Sequence, residues 1–188
     1  TQVAVKDQAS IGEVIVRHKK IDGVDCLEGI ARTDATVDKM LFAARDINTA
    51  TSWSSSDLVE SAALSKGGTF DYYQVLNNPF PIKDRYWFLR GATVRAGDEV
   101  TFQWEHIDAA ATWPDAIAHV NATFPDALST GANVGAWVFA PEGDKVRVHY
   151  KVCTEAGGSV PDWAGRKAAE MNLPRNIADI VERAKGLR

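Results

Sequence analysis

Alternation of hydrophobic and polar residues predicts that strands dominate this chain. Over residues 12–20, Val14 and Val16 alternate with charged residues, Asp22-Gly23 is a turn pair, and residues 24–31 resume as the returning strand of a hairpin. The same type of pattern predicts further strands over residues 58–64, 69–76, 86–94, 99–107, 136–140 and 145–154. Most of these strands are separated by turns that contain Gly or Pro, and Pro79 and Pro81 stop the strand that ends near residue 76.

Two segments change to the helical period. Thr36 suits an N-cap, and the apolar residues from Met40 to Ile47 follow at helical spacing, after which residues 52–56 are predicted to be a polar loop around Trp53. Pro161 suits the first turn of a long C-terminal helix, which Pro174 is expected to kink. The apolar stripe of that helix comprises Trp163, Ala168, Met171, Ile177, Ile180, Val181 and Ala184. Residues 109–133 leave two alternatives open, a short helix or a flexible flap.

Residues 72–90, with the sequence YYQVLNNPFPIKDRYWFLR, place a polar Gln and charged residues within aromatic strands. The strand over residues 86–89 has bulky apolar groups on both faces, which a sheet tolerates only if both faces are covered or one lines an apolar cavity. A long amphipathic helix on a strongly curved antiparallel sheet is an α+β arrangement, and a helix that only partly fills the concavity leaves an internal tunnel. We therefore predict one α+β domain over residues 1–188 that surrounds a large apolar ligand.

Composition and charge narrow the function classes. The chain of 188 residues is 45% hydrophobic and 24% charged, which suits a single globular domain. Its net charge of −4 and its scattered basic residues argue against a nucleic-acid partner. It has no glycine-rich nucleotide motif, no nucleophile elbow and no paired Cys or His at metal spacing, so we expect neither a cofactor nor a metal site. We expect a monomer.

Two cysteines, Cys26 and Cys153, each fall in a separate predicted strand. We expect free thiols that pack as small hydrophobic side chains, with a single bridge as the open alternative. The chain begins at Thr1 rather than Met, and a removed signal peptide, a larger parent protein and a trimmed fragment all fit this start. We expect a processed periplasmic or secreted protein, with the cytoplasm as the alternative.

Several motifs occur in an order that resembles the START family, the steroidogenic-acute-regulatory-related lipid-transfer domains. They are the Trp53 loop, YYQVLNNPFPIKDR at 72–85, WEH at 104–106, GAWVFAP at 135–141 and VHYKVCTEAGGSVPDW at 148–163. The resemblance covers almost the whole chain, although Tyr86 stands where the family usually has Asp and the N-terminal helix of the family is absent or shortened. It implies a helix-grip fold, non-enzymatic binding and transfer of a lipid or sterol-like ligand, and a transient contact with a membrane surface.

Polar residues in this region are candidates for orienting the ligand. Gln74 falls where family members often place a polar cavity group, although an exposed position on an edge strand is the alternative. Arg90 shares a strand face with Tyr86 and Phe88, and Glu105 on the neighbouring strand is its expected partner, with a surface cross-strand pair as the alternative. Further candidate ligand contacts, which serve either as core or as tunnel wall, are Tyr72, Trp87, Trp104, Trp137, Phe139, Tyr150 and Met171.

Two other functions stay open on the same scaffold. One is a polyketide cyclase or aromatase in which Glu105 or His106 moves protons, although His106 by itself is better interpreted as a hydrogen-bonded strand histidine. The other is a sensor or adaptor whose ligand reshapes a lid for a protein partner. The resemblance implies that the last helix and its adjacent loops form this lid, with Gly157-Gly158, Pro174 and the loop near residues 131–135 as the parts that move.

Overall fold

A computed structural model describes residues 2–8, 10–78, 80, 82–155 and 162–187. The strands are β1 (Gln2–Gln8), β2 (Gly12–Ile21), β3 (Val24–Thr33), β4 (Leu58–Leu64), β5 (Phe70–Leu76), β6 (Arg85–Ala96), β7 (Glu99–His106), β8 (Leu128–Ser129), β9 (Asn133–Glu142) and β10 (Lys145–Thr154). The helices are α1 (Val37–Arg45), α2 (Ala50–Trp53), α3 (Pro114–Thr123) and α4 (Asp162–Gly186).

The strands of this described part form one curved, open sheet of ten strands. Its order is β1-β2-β3-β10-β9-β7-β6-β5-β4, and all neighbours along this path are antiparallel, while the short β8 pairs with β6 in parallel. Helices α1 and α4 pack against each other and on the concave face. The predicted α+β arrangement of a helix-grip fold is confirmed.

Strands and helices are predicted correctly where the hydrophobic residues keep one period, of two or of about 3.6 residues, over a long segment. The hairpin β2–β3 and the helix α1 form as expected, and the Thr36 side chain accepts a hydrogen bond from the backbone N–H of Lys39 at 3.4 Å. Two predictions were incomplete, because β1 was not anticipated and the loop around Trp53 contains the short helix α2. The open question over residues 109–133 is answered by α3 and β8.

Some predicted features cannot be compared with the structure. The stops at Pro79 and Pro81, the hinge at Gly157-Gly158 and the helix start at Pro161 lie outside the described residues, as do the side chains of Trp163 and Ala168.

Alternation sorts the side chains of β5 and β6 onto a concave inner face and a convex outer face. On the inner face, Tyr72 and Leu89 join the main core beneath α1 and α4. On the outer face, Tyr73, Val75 and Phe88 form a second core with Val120 of α3. Both faces of this part of the sheet are therefore covered by other parts of the protein or border the cavity, as the aromatic pattern predicted.

Helix α4 lies very close to β3, and a glycine permits this approach. A Cβ atom at Gly29 would lie only 2.2 Å from Cδ2 of Leu173 and 2.6 Å from Cδ1 of Ile177. Leu173 and Ile177 are both buried, so the bare backbone of Gly29 lets two leucine-sized side chains pack directly on the sheet.

The C-terminal part of α4 is tied to α1 by polar contacts. The guanidinium of Arg183 forms an ion pair with Asp46 at 2.6 Å, and Nζ of Lys39 donates to the carbonyl of Leu187 at 2.6 Å. The helix has 25 residues and continues through Pro174. None of the helices in the described ranges is both long enough and apolar enough to cross a membrane.

The expectation of free thiols is wrong, because Cys26 and Cys153 form a disulfide. The two residues lie directly opposite each other on the antiparallel strands β3 and β10, with a Cα–Cα distance of 4.1 Å. Pattern analysis placed each cysteine in a strand, but it did not show that these two strands are neighbours in the sheet. The bridge closes a loop with a sequence separation of 127 residues.

Replacing both cysteines by serine (Cys26→Ser with Cys153→Ser) is expected to lower the free energy of unfolding by about 3 kcal/mol, because a long closed loop restricts the unfolded chain. Urea denaturation of the wild type and of the double variant measures this difference. A reductant should bring the wild type to the stability of the variant and leave the variant unchanged. Two thiols that react in unreduced, denatured wild-type protein would contradict the bridge.

Candidate functional site

A cavity of about 310 Å³ lies between the inner face of the sheet and the helices. Its floor consists of residues from β3, β4, β5, β6, β7, β9 and β10, while α1, α2 and α4 form the opposite walls. The cavity exists because α4 packs tightly on β3, whereas other inner strands are separated from the helix by large side chains. A volume of this size would hold about ten water molecules in the liquid state.

Aromatic rings form a large part of the floor. Trp137 and Tyr150 face each other across β9 and β10 with their ring centroids 4.0 Å apart, and Trp104 stacks on Tyr150 at 6.0 Å. Gly135 makes room for this stack, because a Cβ atom there would lie 2.3 Å from Cζ2 of Trp104. Rings held in this way present a flat, rigid surface to a ligand.

The structure places several of the predicted ligand residues on the cavity wall: Tyr72, Gln74, Trp87, Trp104, Trp137 and Tyr150. Their contact with a ligand stays a prediction. Gln74 is half-buried on the inner face, and its Nε2 donates to Oγ of Ser61 at 3.3 Å, so the exposed-edge alternative does not describe it.

Two apolar candidates lie elsewhere. Phe139 is on the inner face and stacks on Trp137 at 6.3 Å, but it is buried in the main core beside the cavity. Met171 is 58% exposed, because it lies outside the surface of α4 that faces the cavity. The residues that α4 contributes to the wall are Asn172, Leu173, Asn176, Asp179 and Ile180.

Arg90 and Glu105 do not line the cavity, and their directly opposite positions on β6 and β7 agree with the alternative of a cross-strand pair at the surface. Arg90 lies on the outer face and binds Asp71 through two hydrogen bonds, Nε to Oδ1 at 2.8 Å and Nη2 to Oδ2 at 2.9 Å. Asp71 is fully buried and also accepts from Nε1 of Trp113 at 2.9 Å. Glu105 lies opposite Arg90 on β7 and is exposed. Because Trp113 donates to Asp71, the outer network of Arg90, Asp71 and Trp113 connects the sheet to the segment before α3.

Charge in this outer network is compensated. The hydrogen bonds from Arg90 hold the pKa of Asp71 below its ordinary value, even though burial acts in the opposite direction. A bidentate pair of this kind keeps the guanidinium and the carboxylate ionised on the face that does not border the cavity.

At one edge of the cavity, which we call the mouth, hydrogen bonds connect α4 to the segment after α2. Asp179 accepts from the backbone N–H of Ser55 at 2.7 Å and from its hydroxyl at 2.9 Å, while Oδ1 of Asn176 accepts from the hydroxyl of Ser56 at 2.8 Å. Burial raises the pKa of Asp179 above its ordinary value, although the hydrogen bonds from Ser55 act in the opposite direction.

Sequence reasoning missed these polar groups of the wall. Asn172, Asn176 and Asp179 recur at intervals of four and three residues, which places them on one side of a helix next to its apolar stripe. That spacing was a usable signal. Asn133, whose Oδ1 accepts from Nε1 of Trp104 at 2.9 Å, had no comparable signal because it precedes the strand predicted over residues 136–140 and lies in a segment without a clear period.

The acid/base pair considered for an enzyme is not assembled at the cavity. His106 lies at the end of β7, where its Nε2 is 3.4 Å from Oγ of Ser129, and it does not line the cavity. Glu105 lies opposite Arg90 and is therefore on the outer face of the sheet, away from the cavity. Across the ranges that the structure describes, no group of three or more His, Cys, Asp or Glu residues is arranged to hold a metal ion.

Comparison with solved structures identifies the fold. The chain superimposes on the STAR-related lipid transfer protein of Xanthomonas axonopodis with a TM-score of 0.75 at 21% identity, covering 97% of this chain and 98% of that one. Human STARD10 gives a TM-score of 0.76 at 12% identity, covering 97% and 73% of the two chains. The Zhui aromatase/cyclase of Streptomyces sp. R1128 gives 0.58 at 12% identity, covering 90% and 94%. No family model matches the chain, and no curated protein matches it.

These likenesses show that the chain has the helix-grip fold of START domains. They extend over nearly the whole chain, so the cavity described above occupies a fold that lipid-transfer proteins and an aromatase/cyclase share.

Replacing Asp179 by alanine is expected to open the mouth, because the backbone N–H of Ser55 then loses its acceptor. Hydrogen–deuterium exchange of the segment around Ser55 should become about tenfold faster, as expected for the loss of one hydrogen bond to a charged group. Mass spectrometry of peptides that cover residues 50–58 measures the exchange.

The matched control is Glu182→Ala, which removes an exposed carboxylate from the same helix. Equal exchange in the wild type and in both variants would show that Asp179 does not hold this segment.

Proposed function

We propose that the protein binds a compact, hydrophobic small molecule in this cavity and carries it without chemical change. The observation that supports the proposal best is an internal space of about 310 Å³ that is lined mainly by apolar and aromatic side chains. Burial of a ligand in such a space contributes about 0.8 kcal/mol for each methylene, while a few polar groups orient it. The ligand class is lipid or sterol-like.

The size of the cavity favours a compact ligand over a lipid with two long chains. The space is at the lower end of the range of roughly 300–1,000 Å³ that is common for small-molecule sites. One ring system or one short acyl chain would fill it.

Carriage is favoured over catalysis by the chemistry of the wall. Among the described wall residues, the groups that titrate are Tyr72, Tyr150 and Asp179. Burial raises the pKa of both tyrosines, that of Tyr150 to about 12, so neither is poised as a base near neutral pH. Asp179 is engaged by hydrogen bonds at the mouth. The alternative of a cyclase or aromatase is supported by fold likeness.

A transient membrane contact would allow the ligand to be exchanged. Phe80 lies in the loop between β5 and β6 and is 97% exposed, and this loop follows Leu76, which lines the cavity. An exposed aromatic ring three residues before the exposed Lys83 in the sequence suits the interface of a bilayer, where the ring is partly buried and the ammonium meets anionic headgroups.

An oxidising compartment fits the covalent structure. Disulfides persist in the periplasm and outside the cell and are rare in the cytosol of most organisms, so the bridge between Cys26 and Cys153 supports a periplasmic or secreted location.

Filling the cavity tests the proposed function. Ala44 lies on the wall, and Ala44→Leu is expected to weaken the binding of 1-decanol and of 2-naphthol by about tenfold, because the added side chain occupies ligand space. Isothermal titration calorimetry measures both affinities.

The control is Ala92→Leu, the same change at an exposed residue on the outer face of β6. It should bind both probes as the wild type does. Failure of the wild type to bind either probe, together with no small molecule released on extraction of the purified protein, would refute the proposal.

Removing the exposed ring tests the membrane contact. Phe80→Ser is expected to reduce sedimentation of the protein with vesicles of phosphatidylcholine and phosphatidylglycerol by severalfold, because the loop loses its apolar anchor. Phe42→Ser removes another exposed ring, on α1, and should leave co-sedimentation unchanged. Equal losses in both variants would point to non-specific adsorption.

A further inference from the structure

The hydroxyl of Tyr72 stands out among the polar groups of the cavity wall. Tyr72 is only 4% exposed, and within the described residues its hydroxyl has no hydrogen-bond partner. The ring is held in place by Phe70 and Phe102, with centroid distances of 5.9 and 6.5 Å. Within the described residues the fully buried side-chain polar atom without a partner is Oγ1 of Thr154, so the Tyr72 oxygen keeps contact with the cavity space. A rigidly held hydroxyl that faces a cavity and has no partner in the protein has an open position for a ligand atom.

Most other polar groups of the floor are engaged or out of reach of a ligand. The indole N–H of Trp87 donates to Thr130 at 2.8 Å, that of Trp104 donates to Asn133, and the side chain of Asn176 acts to lower the pKa of Tyr150. Oγ1 of Thr154 has no partner among the described residues, but it is fully buried and does not face the cavity space. Gln74 donates to Ser61. A ligand that used any of the engaged groups as its main polar contact would first have to displace a bond within the protein.

The charged residues on the wall determine whether the polar group of a ligand can be charged. Among the described residues that line it, Asp179 is the single charged residue, and Lys, Arg and His do not occur. An anion placed in this space would leave water without gaining a cation, and it would also meet the carboxylate at the mouth. A neutral head avoids both penalties.

The shape of the wall determines the body of the ligand. Four tryptophans, Trp53, Trp87, Trp104 and Trp137, border the cavity together with Tyr72, Tyr150 and Phe102. Aromatic faces pack best against flat groups, and offset stacking between rings adds attraction beyond burial alone.

From these observations we infer that the cavity selects a neutral, ring-containing molecule whose hydroxyl or carbonyl oxygen hydrogen-bonds to the hydroxyl of Tyr72, and that it rejects carboxylates. The inference rests on the proposed function and narrows its ligand class. Tyr72 thereby becomes the residue that recognises the oxygen of the ligand.

Burial keeps this tyrosine a neutral donor. The pKa of Tyr72 lies far above its ordinary value, because burial opposes formation of the phenolate and the nearby Tyr150 adds to the effect.

Three probes of similar shape test the inference: 2-naphthol, 2-methylnaphthalene and 2-naphthoate. Titrations followed by the indole N–H signals in ¹H–¹⁵N spectra give their affinities. Tyr72→Phe is expected to lower the ratio of the 2-naphthol affinity to the 2-methylnaphthalene affinity by about tenfold, because only 2-naphthol loses a hydrogen bond. The wild type is expected to bind 2-naphthoate about a hundredfold more weakly than 2-naphthol.

The control is Tyr73→Phe. This neighbouring tyrosine lies on the outer face, where its hydroxyl donates to Glu60, and its loss should leave the ratio unchanged. A ratio that Tyr72→Phe does not change, or equal binding of 2-naphthol and 2-naphthoate, would overturn the inference while the proposed function stands. If no probe moves the indole signals of the wild type, the inference fails, and the proposed function is then decided by the binding of 1-decanol and by extraction of the purified protein. Should Tyr72→Phe not fold, the affinities of the wild type for 2-naphthol and 2-naphthoate still test whether the cavity rejects carboxylates, and equal affinities would overturn the inference.

Discussion

Direct contact between α4 and the bare backbone of β3 is the constraint on which the rest of this structure depends. At Gly29 the helix approaches so closely that a single added carbon atom would overlap Leu173 and Ile177. This contact sets the height of the helix above one side of the sheet. Where the inner faces of β5, β6, β7 and β9 carry Trp and Tyr side chains, helix and sheet cannot meet as closely, and the cavity occupies the space between them.

Strands β5 and β6 carry an ion pair on their outer face and uncharged polar side chains on their inner face. On the outer face, Asp71 and Arg90 satisfy each other and connect to the segment before α3 through Trp113. On the inner face, the polar groups are amides and hydroxyls such as Gln74 and Tyr72. Burying a charge without a partner costs much more free energy than leaving a hydroxyl without a protein partner at a cavity, where a ligand can bond to it. This separation explains how strongly charged strands can border a cavity that suits neutral molecules.

Fold likeness alone leaves the chemistry open, because the helix-grip scaffold is shared by lipid-transfer proteins and by an aromatase/cyclase. The wall residues therefore carry the functional argument. They combine rigid aromatic surfaces with a mouth at which Ser55 and Ser56 donate hydrogen bonds to α4. Ser55 is exposed, so its hydrogen bonds to α4 can be exchanged for hydrogen bonds to water at modest cost.

The sequence by itself determined most of the strands, namely β2 to β7, β9 and β10, together with the helices α1 and α4 and the aromatic character of the site, because periodicity and propensity are local properties. It correctly assigned Arg90 to the face of Tyr86 and Phe88, since alternation within one strand is local as well. Only the tertiary structure decided which face borders the cavity, that Asp71 rather than Glu105 pairs with Arg90, and that Cys26 meets Cys153. These outcomes depend on strand order and register, and those follow from packing among residues that are far apart along the chain.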